Sequence, residues 1–487
     1  MEEWVESLPF ADPLRVFRAL FDRLGALNHA PLKPAVRAEL LELALQPYSQ
    51  MVARHAGLSA QSSMSTFERC RDEADAARQV ANRLALGYKL LLVETVNRRS
   101  MFGSQKLPQL ATQRAVQCLC YVLMHAYHEY LPQEPNVWPE LHELHEYARE
   151  QKFQDAPAAP AGDRHELVAS VEVNYARIAL LSASDPLRLT HGRIWQLFDL
   201  LGQTKAALRV SVPSAVTLQA PMLVLSYDQA SKPRRADEFT RSLPEGACLI
   251  DPVPVARFLV GLDDPQTQAL RAAVAQVLEN PRRRVDTRTP IEGRVRVAAG
   301  LASVHHFCRG GDGETQAATR PDIDEDTIDI EDFEPEDTLP ESHMYTCHSW
   351  QLVNSSQRGV CLMRDRRSVN TPMTGDLIGL QSAGREDQWA IGLVRWLSID
   401  KTGTHRLGVE LLSSNARAVS LQLDEMQTKP ALVLASANAE LIRVVVPVGT
   451  AKLDKPLQVH FDGHEIVLHP RVVVESSNTV QCLDCSR

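Results

Sequence analysis

At 487 residues, with 44% hydrophobic and 23% charged side chains, the chain is too long for one small module, and ordinary domain sizes predict about three domains. The formal net charge is −9, but Gly311 to Glu341 alone hold 13 Asp and Glu against a single basic residue, Arg320. One segment thus supplies the whole acidic excess, and bulk charge points to neither a nucleic-acid polymer nor a membrane surface as partner.

The first 150 residues read as helices. Asp12-Pro13 has the form of an N-cap followed by proline at the first helical position, and Leu14, Phe17, Leu20, Phe21 and Leu24 then recur at helical spacing. Similar patterns run through Leu40 to Leu45, Ala81 to Val93, Ala115 to Tyr130 and Trp138 to Tyr147, which predicts an all-helical domain over 1–150. A Pro/Ala/Gly-rich break, APAAPAGD at Ala156 to Asp163, places a linker at 151–164. Residues 165–280 read as a mixed helix and strand domain. Its predicted helices are Val171 to Leu181, Ile194 to Leu201 and Asp264-Pro265 to Asn280; its short strands are Leu208 to Val212, Met222 to Tyr227 and Cys248 to Ile250. Ala247 to Leu262 is the nearest approach to a bilayer-crossing run of about 20 apolar residues, and Asp251, two prolines and Arg257 break it. From residue 281 strands dominate: a barrel or sandwich over 281–413, then a β-rich module, or an extension of the first, over 414–487.

Nine cysteines make an odd count, and they are scattered through predicted helices (Cys70, Cys118, Cys120) and strands (Cys361), which suits reduced thiols better than a disulfide framework. The opening MEEWVESLPF is acidic and lacks a basic stretch followed by an apolar core, so no secretory signal is expected. These features predict a soluble, cytoplasmic protein.

Two short elements carry the chemistry. Arg-Arg-Arg at 282–284, followed by Arg288, forms Arg-x-x-x-Arg between a predicted helix and the first strand of the barrel, and Val353 to Val360 contain Asn354-x-Ser356-x-x-Gly359 between two strands. Alone, the first is equally a solvated pair and the second equally a tight turn. In this order, and in this context, they resemble the two signature elements of the PilZ domain, a family of cyclic di-GMP receptors, over residues 282–412. Trp389 to Trp396 (WAIGLVRW) and Leu407-Gly408-Val409-Glu410 are similar to the later strands of that domain.

The resemblance implies a β-barrel on one face of which the two elements converge, the arginine run acting as a flexible clamp. It implies cyclic di-GMP as ligand and Arg283, Arg284, Arg288, Asn354, Ser356 and Gly359 as its binding residues, with no cofactor. The chemistry suits them. A guanidinium fork matches the adjacent O6 and N7 acceptors of guanine and stacks on the base, a further arginine pairs with a phosphate, and Asn354 and Ser356 offer hydrogen bonds to base or phosphate. Gly359 lets the backbone turn and approach the ligand. The acidic tract, 311–343, separates the halves; its composition is that of a disordered insertion. It is read as a solvated loop, with the sharper alternative that its carboxylates compete with the nucleotide for Arg282 to Arg288.

Other motifs are weaker. His142-Glu143-Leu144-His145-Glu146 lacks the four-residue histidine spacing of a metalloprotease helix and is read as a solvent face. His305, His306, Cys308, His343, Cys347 and His348 are too irregularly spaced for a zinc site, and Cys482-x-x-Cys485 is a lone pair read as an ordinary strand end. There is no Walker A loop, no Gly-x-Gly-x-x-Gly, no Gly-x-Ser-x-Gly elbow, and no Gly-Gly-Asp-Glu-Phe or Glu-Ala-Leu signature of the enzymes that make or degrade cyclic di-GMP.

The reading is therefore a multidomain α+β protein, not an enzyme and without a metal. It comprises an all-helical N-terminal domain, a mixed α/β middle domain, and a PilZ-like antiparallel barrel with a β-rich extension. It is expected to act as a cytosolic cyclic di-GMP effector that engages a protein partner through its helical domain. The alternative is an interaction scaffold whose PilZ module does not bind nucleotide. A single-stranded nucleic-acid binder would need an excess of basic charge and clustered aromatics, which are absent from the sequence.

Overall fold

The computed structural model describes residues 2–59, 64–97, 105–157, 169–190, 192–204, 208–213, 221–239, 242–264, 267–279, 286–310, 345–364, 371–382, 388–424, 427–435, 441–461 and 464–487. The chain divides into two units, Met1–Arg283 and Arg284–Arg487.

The first unit begins with eight helices: α1 (Glu2–Glu6), α2 (Pro13–His29), α3 (Pro34–Ser59), α4 (Met64–Asn97), α5 (Lys106–His128), α6 (Val137–Glu150), α7 (Val171–Ala183) and α8 (Arg193–Gln203). A small antiparallel sheet follows, with β1 (Leu223–Ser226) between β2 (Arg234–Arg235) and β3 (Ala247–Ile250), and then α9 (Val253–Gly261) and α10 (Gln268–Glu279). Asp12 caps α2 as expected: its carboxylate accepts from the Arg15 N–H at 3.2 Å, and Pro13 takes the first helical position. Along α5 every side chain from Ala111 to His128 is buried, so this helix is the axis of the unit and its polar groups must find partners inside. Arg114 donates to Glu42 through Nη2 at 2.8 Å and Nε at 2.9 Å, and Glu42 also accepts from the Tyr88 hydroxyl at 2.7 Å. One continuous core runs from Leu8 to Leu278, shared by residues of the expected 1–150 and 165–280 parts. Half of the predicted linker, from 158 on, lies outside the described residues.

Three local expectations change. His142 and His145 of α6 are fully buried, and within the His142–Glu146 motif only Glu143 and Glu146 face solvent. The histidines lie on the stripe formed by Trp138, Leu141 and Leu144, and their ring nitrogens find internal partners. His142 Nδ1 is 2.6 Å from the Tyr175 hydroxyl and its Nε2 2.9 Å from the Ser231 carbonyl; His145 Nδ1 is 2.8 Å from the Tyr227 hydroxyl and its Nε2 2.8 Å from Glu172. Burial depresses the pKa of both rings. The strand expected at Leu208 to Val212 reduces to one bridge, Ser211 to Leu249, because the neighbouring Val210 N–H donates at 2.6 Å to Glu172 instead of to a strand. Asp251 and the prolines that interrupt the apolar run at 247–262 start helix α9, which the sequence reading did not foresee: Asp251 accepts from the Val253 N–H at 3.0 Å. Among the described residues no helix is long and apolar enough to cross a membrane.

The second unit holds two closed antiparallel six-stranded barrels. The first contains β4 (Thr289–Ala299), β5 (Cys347–Ser356), β6 (Gly359–Arg364), β7 (Leu377–Ser382), β8 (Ala390–Ile399) and β9 (His405–Ser413), in the spatial order β4-β5-β6-β9-β8-β7, with α11 (Leu301–Cys308) following β4 in the chain. The second contains β10 (Ala416–Asp424), β11 (Gln427–Leu434), β12 (Ile442–Pro447), β13 (Leu457–Phe461), β14 (His464–Ser476) and β15 (Val480–Ser486), in the order β10-β11-β12-β15-β14-β13. The tail is thus a barrel of its own. Helix α11, also unforeseen, is short and apolar: Leu301, Val304 and Phe307 pack with Ala298, Leu377 and Leu393 of the first barrel and with Leu432, Val445 and Cys482 of the second. Closure leaves neither barrel with a long open edge.

Inside the first barrel, His348 shares the inward parity of Trp350, which is fully buried, and burial together with the Arg364 charge pushes His348 down to about 4. An unfolded histidine titrates near 6.5, so between about 4 and 6.5 the unfolded chain binds the extra proton. The associated stability is complete above 6.5 and is lost as pH falls toward 4. Asp376, pushed up to about 6 by burial, has the opposite slope: its contribution is present at about pH 4 and lost as pH rises through 6. Denaturant unfolding of the parent beside His348→Gln separates the two. The parent is expected to lose stability relative to the variant as pH falls from 6.5 to 4, and a constant difference over that range would contradict the assignment.

Candidate functional site

The Asn-x-Ser-x-x-Gly element is the β5–β6 hairpin. Ser356 pairs with Gly359, so its loop is just Gln357 and Arg358. Leu352 and Leu362 oppose one another on the inner face, and the row continues with Leu407 on β9 and Leu397 on β8. Plain alternation would send Asn354 inward as well. A bulge between Leu352 and Asn354 prevents this: Asn354 is opposed by Cys361, one residue before Leu362 and therefore on the other face. Asn354 and Ser356 stand half-buried on the outside of the barrel, where the Ser356 hydroxyl donates to the Gly359 carbonyl at 3.3 Å. Gly359 does not have the positive φ of a turn glycine. It is required by close approach of β9, since a Cβ there would lie 2.6 Å from the Val409 carbonyl oxygen.

On the other side of β5 runs β4, with Thr289 opposite Ser355 and Pro290 opposite Asn354. Arg288, exposed, directly precedes Thr289 and so lies at the strand end beside Ser356. The two halves of the sequence element, distant in the chain, occupy neighbouring strands. Arg283 and Arg284 lie outside the described residues, as does the acidic tract.

The far bank of the site is β9, where Gly408 opposes Cys361 and Glu410 opposes Gly359. The Trp396 indole of β8 lies over Gly408, in the space a side chain there would need. Glu410 places a negative charge beside Gly359, but Arg395 holds it, donating from Nε at 2.6 Å while its Nη groups donate to Glu475 of β14 at 3.1 and 2.6 Å. Burial pushes the Cys361 thiol up, whereas Arg288 and Arg406 pull it down, so two positive charges act on the centre of this face. Sequence reasoning did not single out Arg406, because the β6–β9 pairing skips β7 and β8 and leaves no local signal.

The scattered histidines and cysteines have other roles. His305 Nε2 donates to the Val419 carbonyl at 3.1 Å, the His306 ring stacks on Tyr345 with centroids 4.6 Å apart, and Arg296 donates to the Cys347 sulfur. Cys482 and Cys485 are free, buried residues of β15. Among the described residues no group of three His, Cys, Asp or Glu is placed to hold a metal ion.

Compared with known families, residues 1–215 match the N-terminal domain of the cyclic-di-GMP receptor FimW, and residues 314–418 match the middle PilZ domain of that receptor. The chain carries a PilZ domain. A relative, the cyclic-di-GMP receptor FimW of Pseudomonas aeruginosa, is 23% identical over 98% of this chain and 84% of its own length. No solved structure matches the chain. The matched PilZ segment contains Asn354, Ser356 and Gly359 but begins after Arg288 and β4, even though β4 closes the PilZ barrel between β5 and β7. The N-terminal match runs past residue 150 to 215, in keeping with the continuous core of the first unit.

Proposed function

We propose that this chain is a cytoplasmic cyclic di-GMP receptor that binds the dinucleotide on the outer face of the PilZ barrel. The observation that carries the reading is the register of β4, β5 and β6, which brings Arg288 beside Ser356 and puts Asn354, Ser356 and Gly359 on one face. Arg288, with Arg283 and Arg284 of the same run, reads guanine O6 and N7 through its guanidinium fork and pairs with phosphate. Asn354 and Ser356 supply hydrogen bonds from the neighbouring strand β5, and Gly359 keeps the hairpin close to β9. The protein binds rather than turns over its ligand and needs no cofactor. Residues 1–215, similar to the N-terminal domain of a cyclic-di-GMP receptor, pass the signal to a protein partner. The described cysteines are free thiols, as a reducing compartment would keep them.

Calorimetric titration of the full chain with cyclic di-GMP, and with cyclic di-AMP for comparison, tests this reading. Saturable binding of the guanine ligand and much weaker binding of the adenine ligand are expected, because adenine replaces the O6 acceptor with an amino donor. No heat of binding with cyclic di-GMP would leave the barrel as a structural module in a scaffold.

A further inference from the structure

We propose that Arg406 is a phosphate-binding residue of the same site, reaching the ligand from the bank opposite Arg288; the inference rests on the receptor reading above. Strand parity places it there. Leu407 and Val409 of β9 are buried, whereas Arg406, Gly408 and Glu410 alternate with them toward the outer face, and Arg406 is exposed. Arg406 opposes Met363, two pairs along from the Cys361–Gly408 pair that continues the row of Asn354, and so on the same face. Its charge and that of Arg288 both act on the Cys361 thiol of β6, and in the barrel order β4-β5-β6-β9 their strands lie on either side of the β5–β6 hairpin.

Arg406 is also uncommitted in a way that its neighbour is not. Arg395 is engaged by two carboxylates, Glu410 and Glu475, whereas Arg406 forms no ion pair among the described residues; its charge acts on Asp400, which is fully exposed. An exposed cation held on a rigid strand loses little by taking up a phosphate oxygen, and the resulting bond is charge-assisted. The ligand's chemistry asks for such a group. A cyclic dinucleotide carries two phosphodiesters on opposite sides of its ring, so arginines on one bank alone leave the far phosphate without a cation. Between the banks, Gly359 carries no side chain, and the sheet at Gly408 is covered by the Trp396 indole, whose flat face suits a nucleotide base.

The test is titration of the full chain with cyclic di-GMP at two salt concentrations, for the parent, Arg406→Ala, Arg406→Lys and, as a distant control, Arg417→Ala. Arg406→Ala is expected to weaken binding by about tenfold and to flatten its salt dependence, since one phosphate contact is lost. Lysine should restore the salt dependence and part of the affinity, the control should match the parent, and the thermal midpoint should not move for any exposed substitution. If the parent binds and Arg406→Ala matches it in affinity and salt dependence, the role of Arg406 is refuted while the receptor reading stands. If the parent does not bind, both fall.

Discussion

Arg288→Ala will weaken cyclic di-GMP binding by about 5- to 150-fold, the equivalent of a bidentate arginine–guanine contact at about 1–3 kcal/mol. Arg288 is exposed at the mouth of β4, and in the first barrel it precedes the residue that faces Ser355. Losing its side chain removes no core packing, so the effect should appear in affinity and not in the unfolding midpoint. Arg288→Lys separates the two functions of the guanidinium. Lysine keeps the charge but loses the planar fork, so it should recover the electrostatic part of binding while narrowing the preference for the guanine over the adenine dinucleotide. The measurement is a pair of dissociation constants for each variant. An unchanged affinity in the alanine variant would remove Arg288 from the site, and full guanine preference in the lysine variant would show that it does not read the base.

The largest effect on stability is expected at Trp350. Its side chain is among the largest that are fully buried, it opposes Val295 on β4, and the Arg364 guanidinium lies 5.7 Å from its ring centroid. Trp350→Ala removes this volume from a closed barrel whose walls are tied by continuous strand pairing and cannot collapse far, so a loss of about 3–5 kcal/mol is expected. Trp350→Phe should cost less, because most of the apolar contact survives. Denaturant unfolding with calorimetry gives the size of both effects. Trp350 is on the strand that presents Asn354 and Ser356, so the alanine variant should also lose nucleotide binding where the barrel is partly unfolded, and regain it on cooling if the fold is the cause. A midpoint equal to that of the parent would mean that Trp350 does not anchor the barrel.

Arg395 illustrates how the two barrels share one fate. Its bonds to Glu410 and Glu475 join the face of the first barrel proposed to bind nucleotide to β14 of the second, and α11 fills the apolar space between them. A change at the first barrel therefore has a physical route to the second.

Local features of the sequence were enough to locate the longer helices, though not the short α9 and α11, because amphipathic spacing and caps such as Asp12-Pro13 act within a few residues of one another. They also determined that Arg288 and the Asn354-Ser356-Gly359 element border a β-barrel, since residue type and order suffice for a motif. The tertiary structure alone decided how these pieces meet. His142 and His145 look like solvent residues until Tyr175, Tyr227 and Glu172 arrive from other elements to satisfy them. The bulge that turns Asn354 outward exists only in the register of β5 against β6, and a shift of one residue reverses every side chain beyond it. Arg406 comes to the same face as the hairpin because β9 pairs directly with β6, although β7 and β8 lie between them in the chain. Such pairings are fixed by the closure of the whole barrel, and closure is a property of all six strands together, not of any segment of the chain.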